Sequence, residues 1–203
     1  MFGDLGRWAA DVLGAYGSLG LAALMLAENL FPPIPSEAVL PLAGFLVGRG
    51  EIGAAQALVA STAGSLAGAF ALYALGRWGG RSLVLRHGGL LRVGEADLDR
   101  AEGWFERYGD FVVFFARMVP LARSVVSIPA GAAKMPLARF ALLTTAGSAL
   151  WNALLIGAGY LLGANWSRVG VFVGTYSNVA LAALAVAALA LALRWWLRRK
   201  RRP

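Results

Sequence analysis

Four charged side chains interrupt apolar sequence, and their types suit the handling of an anion and a proton. Glu28 and Glu37 bound the stretch Glu28-Asn29-Leu30-Phe31-Pro32-Pro33-Ile34-Pro35-Ser36-Glu37, and Arg117 and Arg123 lie in Phe114-Phe115-Ala116-Arg117-Met118-Val119-Pro120-Leu121-Ala122-Arg123. A guanidinium keeps its charge, so at bilayer depth it needs a carboxylate, a carbonyl or a ligand anion, and its planar fork matches phosphate. A carboxylate whose protonation responds to burial and to a neighbouring cation is suited to carry protons, which makes Glu28 and Glu37 candidates for proton coupling. The plainer reading makes Ser36-Glu37 the cap of a half-helix and the arginines structural partners of the glutamates. A resting Glu/Arg network that opens to admit an anion satisfies both readings. Asn29, Ser36, Trp151 and Asn152 are the polar side chains placed to support such a site, with interhelical bonding the structural alternative for Asn152.

Other chemistries find little material. The chain has no cysteine and one histidine, His87, so thiolate chemistry and multi-histidine metal sites are excluded. No P-loop, paired-histidine phosphatase pattern or metalloprotease motif is present, and neither a metal, a cofactor nor an enzymatic activity is expected.

The elements that must position the four charges are membrane elements. Of 203 residues, 59% are hydrophobic and 15% charged, and the mean hydropathy is +0.64, outside the range of ordinary soluble domains. The net charge of +8 leans on the tail Arg194, Arg198, Arg199, Lys200, Arg201 and Arg202, which follows an apolar run and reads as a membrane-flanking anchor rather than a nucleic-acid site. Residues 52–75, 136–162 and 169–193 each offer the roughly 20 apolar residues a transmembrane helix needs. Gly64, Gly68 and Gly147 suit the first two for close packing.

Two further apolar stretches are broken. Residues 19–47 contain Pro32, Pro33, Pro35 and Pro41 beside the two glutamates, and residues 111–133 contain Pro120 and Pro129 beside the two arginines. A central arginine costs about 2.5 to 3.5 kcal/mol on insertion scales, and interior proline removes a helical hydrogen bond. Both stretches therefore read as re-entrant hairpins buried in protein, with turns at Pro32, Pro33 and Pro35 and at Pro120, Pro129 and Gly131.

The expected fold is an all-α integral membrane protein built as an inverted repeat of re-entrant helical hairpin plus transmembrane helix, with amphipathic helices and an additional C-terminal span. Residues 1–16 form an N-terminal amphipathic helix, 17–76 the first repeat (hairpin 19–47, span 52–75), and 77–108 a cytoplasmic connector with an amphipathic helix from Glu95 to Tyr108. Residues 109–163 form the second repeat (hairpin 111–133, span 136–162), and 164–203 the last span and the basic tail. Basic loop residues place the C-terminus in the cytoplasm and turn the two halves upside down relative to each other. Four short matches recur in order: Tyr16-Gly17 with Tyr108-Gly109, Pro41-Leu42-Ala43-Gly44 with Pro129-Ala130-Gly131, Thr62-Ala63-Gly64-Ser65 with Thr145-Ala146-Gly147-Ser148, and Tyr73-Ala74-Leu75-Gly76 with Tyr160-Leu161-Leu162-Gly163.

Glu28 followed by a proline-rich turn closing in Pro35-Ser36-Glu37, and Phe114, Arg117, Pro120 and Arg123 at three-residue spacing ahead of Pro129-Ala130-Gly131, resemble the DedA family of SNARE-associated or VTT-domain membrane proteins. The resemblance spans about Leu19 to Gly163. Many members carry Gly-Asp where this chain has Ser36-Glu37, so the acidic function is retained. It implies facing re-entrant hairpins in a bacterial cytoplasmic-membrane protein, with Glu28, Glu37, Arg117 and Arg123 essential. It also implies lipid movement between leaflets, for which undecaprenyl phosphate coupled to the proton motive force is the leading reading; the alternative cargo is phosphatidylethanolamine or a small ion exchanged for protons. A non-transporting scaffold is the alternative from another class. The expected partners are a lipid-linked phosphate, protons and the bilayer, with no nucleic acid.

Overall fold

The computed structural model describes residues 2–31, 36–91, 95–120 and 122–163, and all regular elements among them are helices. They are α1 (Phe2–Leu30), α2 (Ser36–Gly48), α3 (Ala54–Leu91), α4 (Glu95–Ala116), α5 (Ala122–Val125), α6 (Ser127–Ala132) and α7 (Leu137–Leu162). Among the described residues three segments are long and apolar enough to cross a membrane: Trp8–Leu30, Ala54–Gly79 and Leu137–Leu162. The last two coincide with the apolar runs at 52–75 and 136–162. The first joins the N-terminal region to the leading arm of the 19–47 stretch across a break at Gly17, whose φ of 54° and ψ of −129° suit a residue without a Cβ. The span expected at 169–193, the basic tail and the turn residues Pro32, Pro33 and Pro35 lie outside the described residues.

Proline placement explains the break after α4. No proline occurs between Pro41 and Pro120, and α3 and α4 run on through the polar connector, α3 to Leu91 and α4 from Glu95 to Ala116. Pro120 then forbids continuation. The chain tightens at 117–120, where the amides of Arg117, Met118 and Val119 donate three residues back, to Phe114, Phe115 and Ala116, before α5 and α6 resume. The 111–133 stretch is therefore three short helical pieces, not one rod. Pro129 is tolerated in the first turn of α6. Pro41 inside α2 supplies no amide to the carbonyl of Glu37.

Close packing comes from glycine, and it is reciprocal. A Cβ at Gly44 would lie 2.0 Å from the Ile156 carbonyl oxygen, and one at Gly159 would lie 2.0 Å from that of Pro41, so α2 and α7 touch backbone to backbone. The same exchange joins α6 to α3: Gly131 meets the carbonyl of Tyr73 at 2.0 Å and Gly76 that of Ile128 at 2.1 Å. Gly64 sits on the Ala22 carbonyl of α1, and Gly147 faces the Phe114 carbonyl of α4. Small residues at crossings let helices approach without a water-driven hydrophobic effect. Two apolar clusters fill the remainder, one around Leu21, Met25, Leu40 and Ile156, the other around Tyr73, Val113, Ala130 and Phe140.

The α6–α7 turn is pinned. The Lys134 and Met135 amides donate to the Gly131 and Ala130 carbonyls, with Lys134 at φ 54°, the helix-ending arrangement that usually places glycine there. The Tyr73 hydroxyl donates to the Met135 carbonyl and accepts from Arg77 Nη1 at 3.2 Å.

Candidate functional site

Glu28 and Arg123 are brought together. Glu28 stands in the last turn of α1, Arg123 is the second residue of α5, and Arg123 Nη2 donates to Glu28 Oε2 across a buried contact in which both residues are at most 6% exposed. Such a pair is held because each charge alone would be stranded in low dielectric. Neighbouring Asn29 leans on the same carboxylate at 3.4 Å while its Nδ2 also reaches the Met25 carbonyl at 3.1 Å.

Arg117 sits 2% exposed at the end of α4 and is held differently. Its Nη2 donates to Ser127 Oγ of α6 at 2.9 Å and to Thr144 Oγ1 of α7 at 3.2 Å, and its guanidinium lies 5.7 Å from the Phe140 ring centroid. Among the described residues its Nε has no hydrogen-bond partner and no carboxylate is in contact with it. Gly147 allows α7 this close, since a Cβ there would be 3.0 Å from Arg117 Cβ. Arg117 remains within electrostatic range of both Glu28 and Arg123.

Glu37 opens α2 in its first turn, half-buried and within electrostatic range of Glu28. Ser36 beside it is fully buried, with its hydroxyl unpartnered among the described residues. Trp151 and Asn152 are buried on α7, and Asn152 Nδ2 donates to Thr62 Oγ1 at 3.4 Å, an interhelical bond to α3. Pro120 is buried at the break after α4, Gly131 is buried against α3, and Pro129 is exposed. Among the described residues no three His, Cys, Asp or Glu side chains form a metal-binding group.

Ser127, Thr144 and Phe140 are the site residues that spacing did not single out. Thr144, Ser148 and Asn152 recur every fourth residue on α7, a face that a search for polar periodicity within apolar helices would have found. Ser127 carries no such signal, because a turn separates it from Arg117. Chemically the arrangement offers one guanidinium clasped by a carboxylate and a second held by neutral hydroxyls and an aromatic face, with donor capacity to spare.

Residues 34–161 match the family model described as the VTT domain. The chain is 41% identical over 181 residues to a protein of Lactococcus lactis subsp. cremoris named alkaline phosphatase-like protein, covering 87% of this chain and 85% of that one. It is 35% identical over 187 residues to undecaprenyl phosphate transporter A of Bacillus subtilis, covering 92% and 93%. With the protein of the same name in Staphylococcus aureus it shares 29% identity over 195 residues, covering 94% and 96%. No solved structure matches it. From the extent of the domain match and the full-length likeness to these proteins, the chain is a member of the VTT-domain, or DedA, family of bacterial membrane proteins.

Proposed function

We propose that the chain is a transporter of the bacterial cytoplasmic membrane that moves undecaprenyl phosphate between leaflets, with Arg117 and Arg123 holding the phosphate and Glu28 and Glu37 coupling its release to protons. The observation that carries this reading is the Arg117 guanidinium: buried, held by neutral hydroxyls, in contact with no carboxylate and with Nε unpartnered among the described residues. A permanent charge in that state is prepared for an anion, and the fork geometry favours phosphate. The Bacillus and Staphylococcus relatives are both named for this substrate.

In this reading the Glu28–Arg123 contact is a latch. Protonation of Glu28 removes the charge that holds Arg123, whose guanidinium then joins Arg117 on a phosphate. Loss of the proton restores the latch and expels the anion. Asn29 supports the Glu28 carboxylate, and the Ser36 hydroxyl, unpartnered among the described residues, is free to serve Glu37 or the ligand. The reciprocal packing of α2 on α7 and of α6 on α3 supports an inverted repeat in which two re-entrant hairpins face each other, each seated on the other repeat's spanning helix.

The experiment is leaflet exchange of a polyprenyl phosphate in proteoliposomes with and without a pH gradient. Exchange that depends on the gradient and is lost in Arg117→Ala and Arg123→Ala is expected. Full exchange by both variants sinks the assignment. Exchange of phosphatidylethanolamine or ion flux without lipid redirects the cargo, and release of inorganic phosphate would make the protein an enzyme.

A further inference from the structure

From the Arg117 contact at Thr144, a line of buried polar groups runs on into parts of the bundle for which the proposed phosphate chemistry has no use. Thr144, Ser148 and Asn152 share one face of α7 and are 0%, 6% and 0% exposed. At one end Thr144 accepts from Arg117; at the other Asn152 reaches Thr62 on α3, one turn from Ser65, itself 2% exposed. Eight residues of helix carry this line about 12 Å along the bundle, from the guanidinium toward the Ala54 end of α3 and the Leu162 end of α7.

Interhelical bonding does not account for it. Among the described residues the bond that joins this line to α3, Asn152 to Thr62, is long, at 3.4 Å, and it leaves Asn152 Oδ1 and Ser65 Oγ without a partner. Buried polar atoms are paired with protein or with water, and side chains placed here only to join helices would consume these atoms on each other. The line also begins at a permanent cation, which hydration stabilises. We infer that Thr144, Ser148, Asn152, Thr62 and Ser65 line a file of water that hydrates Arg117 from one side of the bundle. The inference rests on the proposed function only in its consequence, that protons reach the site by this route.

Hydration is testable without a lipid-exchange assay because the chain has no cysteine. Ser65→Cys, Ser148→Cys and Ala69→Cys each introduce a single thiol, the last into a fully buried apolar cluster with Tyr73 and Phe140. Purified monodisperse variants in proteoliposomes are exposed to silver ion, which replaces the thiol proton to give a silver thiolate and a released proton; remaining thiols are counted by maleimide tagging after denaturation. Reaction at Ser65→Cys and Ser148→Cys about tenfold faster than at Ala69→Cys is expected, since metal capture requires the ionised thiol and burial in apolar surroundings suppresses it. Adding Asn152→Leu to Ser148→Cys should return the rate to that of Ala69→Cys. If either serine variant does not fold, Thr62→Cys replaces it. Rates equal to Ala69→Cys at either position overturn the inference. A dry stripe with intact lipid exchange sinks this inference alone, whereas a wet stripe without lipid exchange sinks the proposed transport alone.

Discussion

Arg123 and Glu28 are buried against each other, so neither tolerates loss of its partner. Glu28→Gln and Arg123→Ala should each destabilise the protein by about 3 to 5 kcal/mol, because a buried charge is left unpaired. Exchanging the signs, Glu28→Arg with Arg123→Glu, should recover part of that in thermal unfolding in detergent while leaving lipid exchange abolished; recovered exchange would make the pair a clasp and not a site. Arg117 has a separate dependence. Thr144→Val and Ser127→Ala each remove one acceptor of a charged hydrogen bond, and a loss of about 1.5 to 3 kcal/mol apiece is expected, shrinking toward zero when measured in an Arg117→Ala background. All four charges were legible in sequence because each violates membrane hydropathy. Which arginine meets Glu28 was not. Arg117 and Arg123 are six residues apart, and the turn at 117–120 breaks the helical phase that would have assigned them to faces.

Helix crossings here are set by glycines that face a backbone carbonyl, and such positions are separable from glycines that face nothing. Gly44→Ala, Gly131→Ala and Gly159→Ala should each cost about 1 to 3 kcal/mol, since the neighbour in the way is main chain and cannot rotate aside. Gly157→Ala, two residues from Gly159 on the same helix with open space at its Cβ, should be neutral or stabilising by up to about 1 kcal/mol. A like loss at Gly157 in thermal unfolding would mean that helix flexibility, not close approach, selects glycine in α7. Lys134 offers the opposite test: its left-handed backbone carries a Cβ strain that glycine lacks, so Lys134→Gly should raise stability by a few tenths to about 1 kcal/mol. The apolar runs at 52–75 and 136–162 were readable because no acidic residue and no interior proline interrupts them, and their polar side chains are small in number against the apolar ones. The extension of α3 to Leu91 was hidden, since the charged residues after Gly76 look like a loop by composition although no proline stops the helix.

The packing partners exchanged between the two halves define the molecule as a whole. α2 lies on α7 and α6 on α3, so each half seats a short helix against the long helix of the other, while α3 and α7 also meet through Thr62 and Asn152. Four sequence matches pointed to paired halves, but their register was mixed. The contacts pair Gly76 with Gly159 in role, each receiving a short helix, rather than Gly76 with Gly163. Residues that face each other through packing, and not through composition, carry that information, and a single sequence does not display it. If the exchange holds the fold together, a chain divided between α3 and α4 should reassemble. Fragments 1–92 and 93–203, co-expressed with a tag on one, should co-purify in equal amounts, because the α2–α7, α3–α6 and α3–α7 contacts and the Glu28–Arg123 pair all lie between fragments. Each fragment alone leaves the glycine face of its long helix without its short partner and should be lost to degradation or aggregation. Gly131→Val in one fragment and Gly44→Val in the other attack the two crossings independently. Each should weaken co-purification, and the pair together should abolish it. Stable, monodisperse single fragments would instead make the halves autonomous units that merely dock.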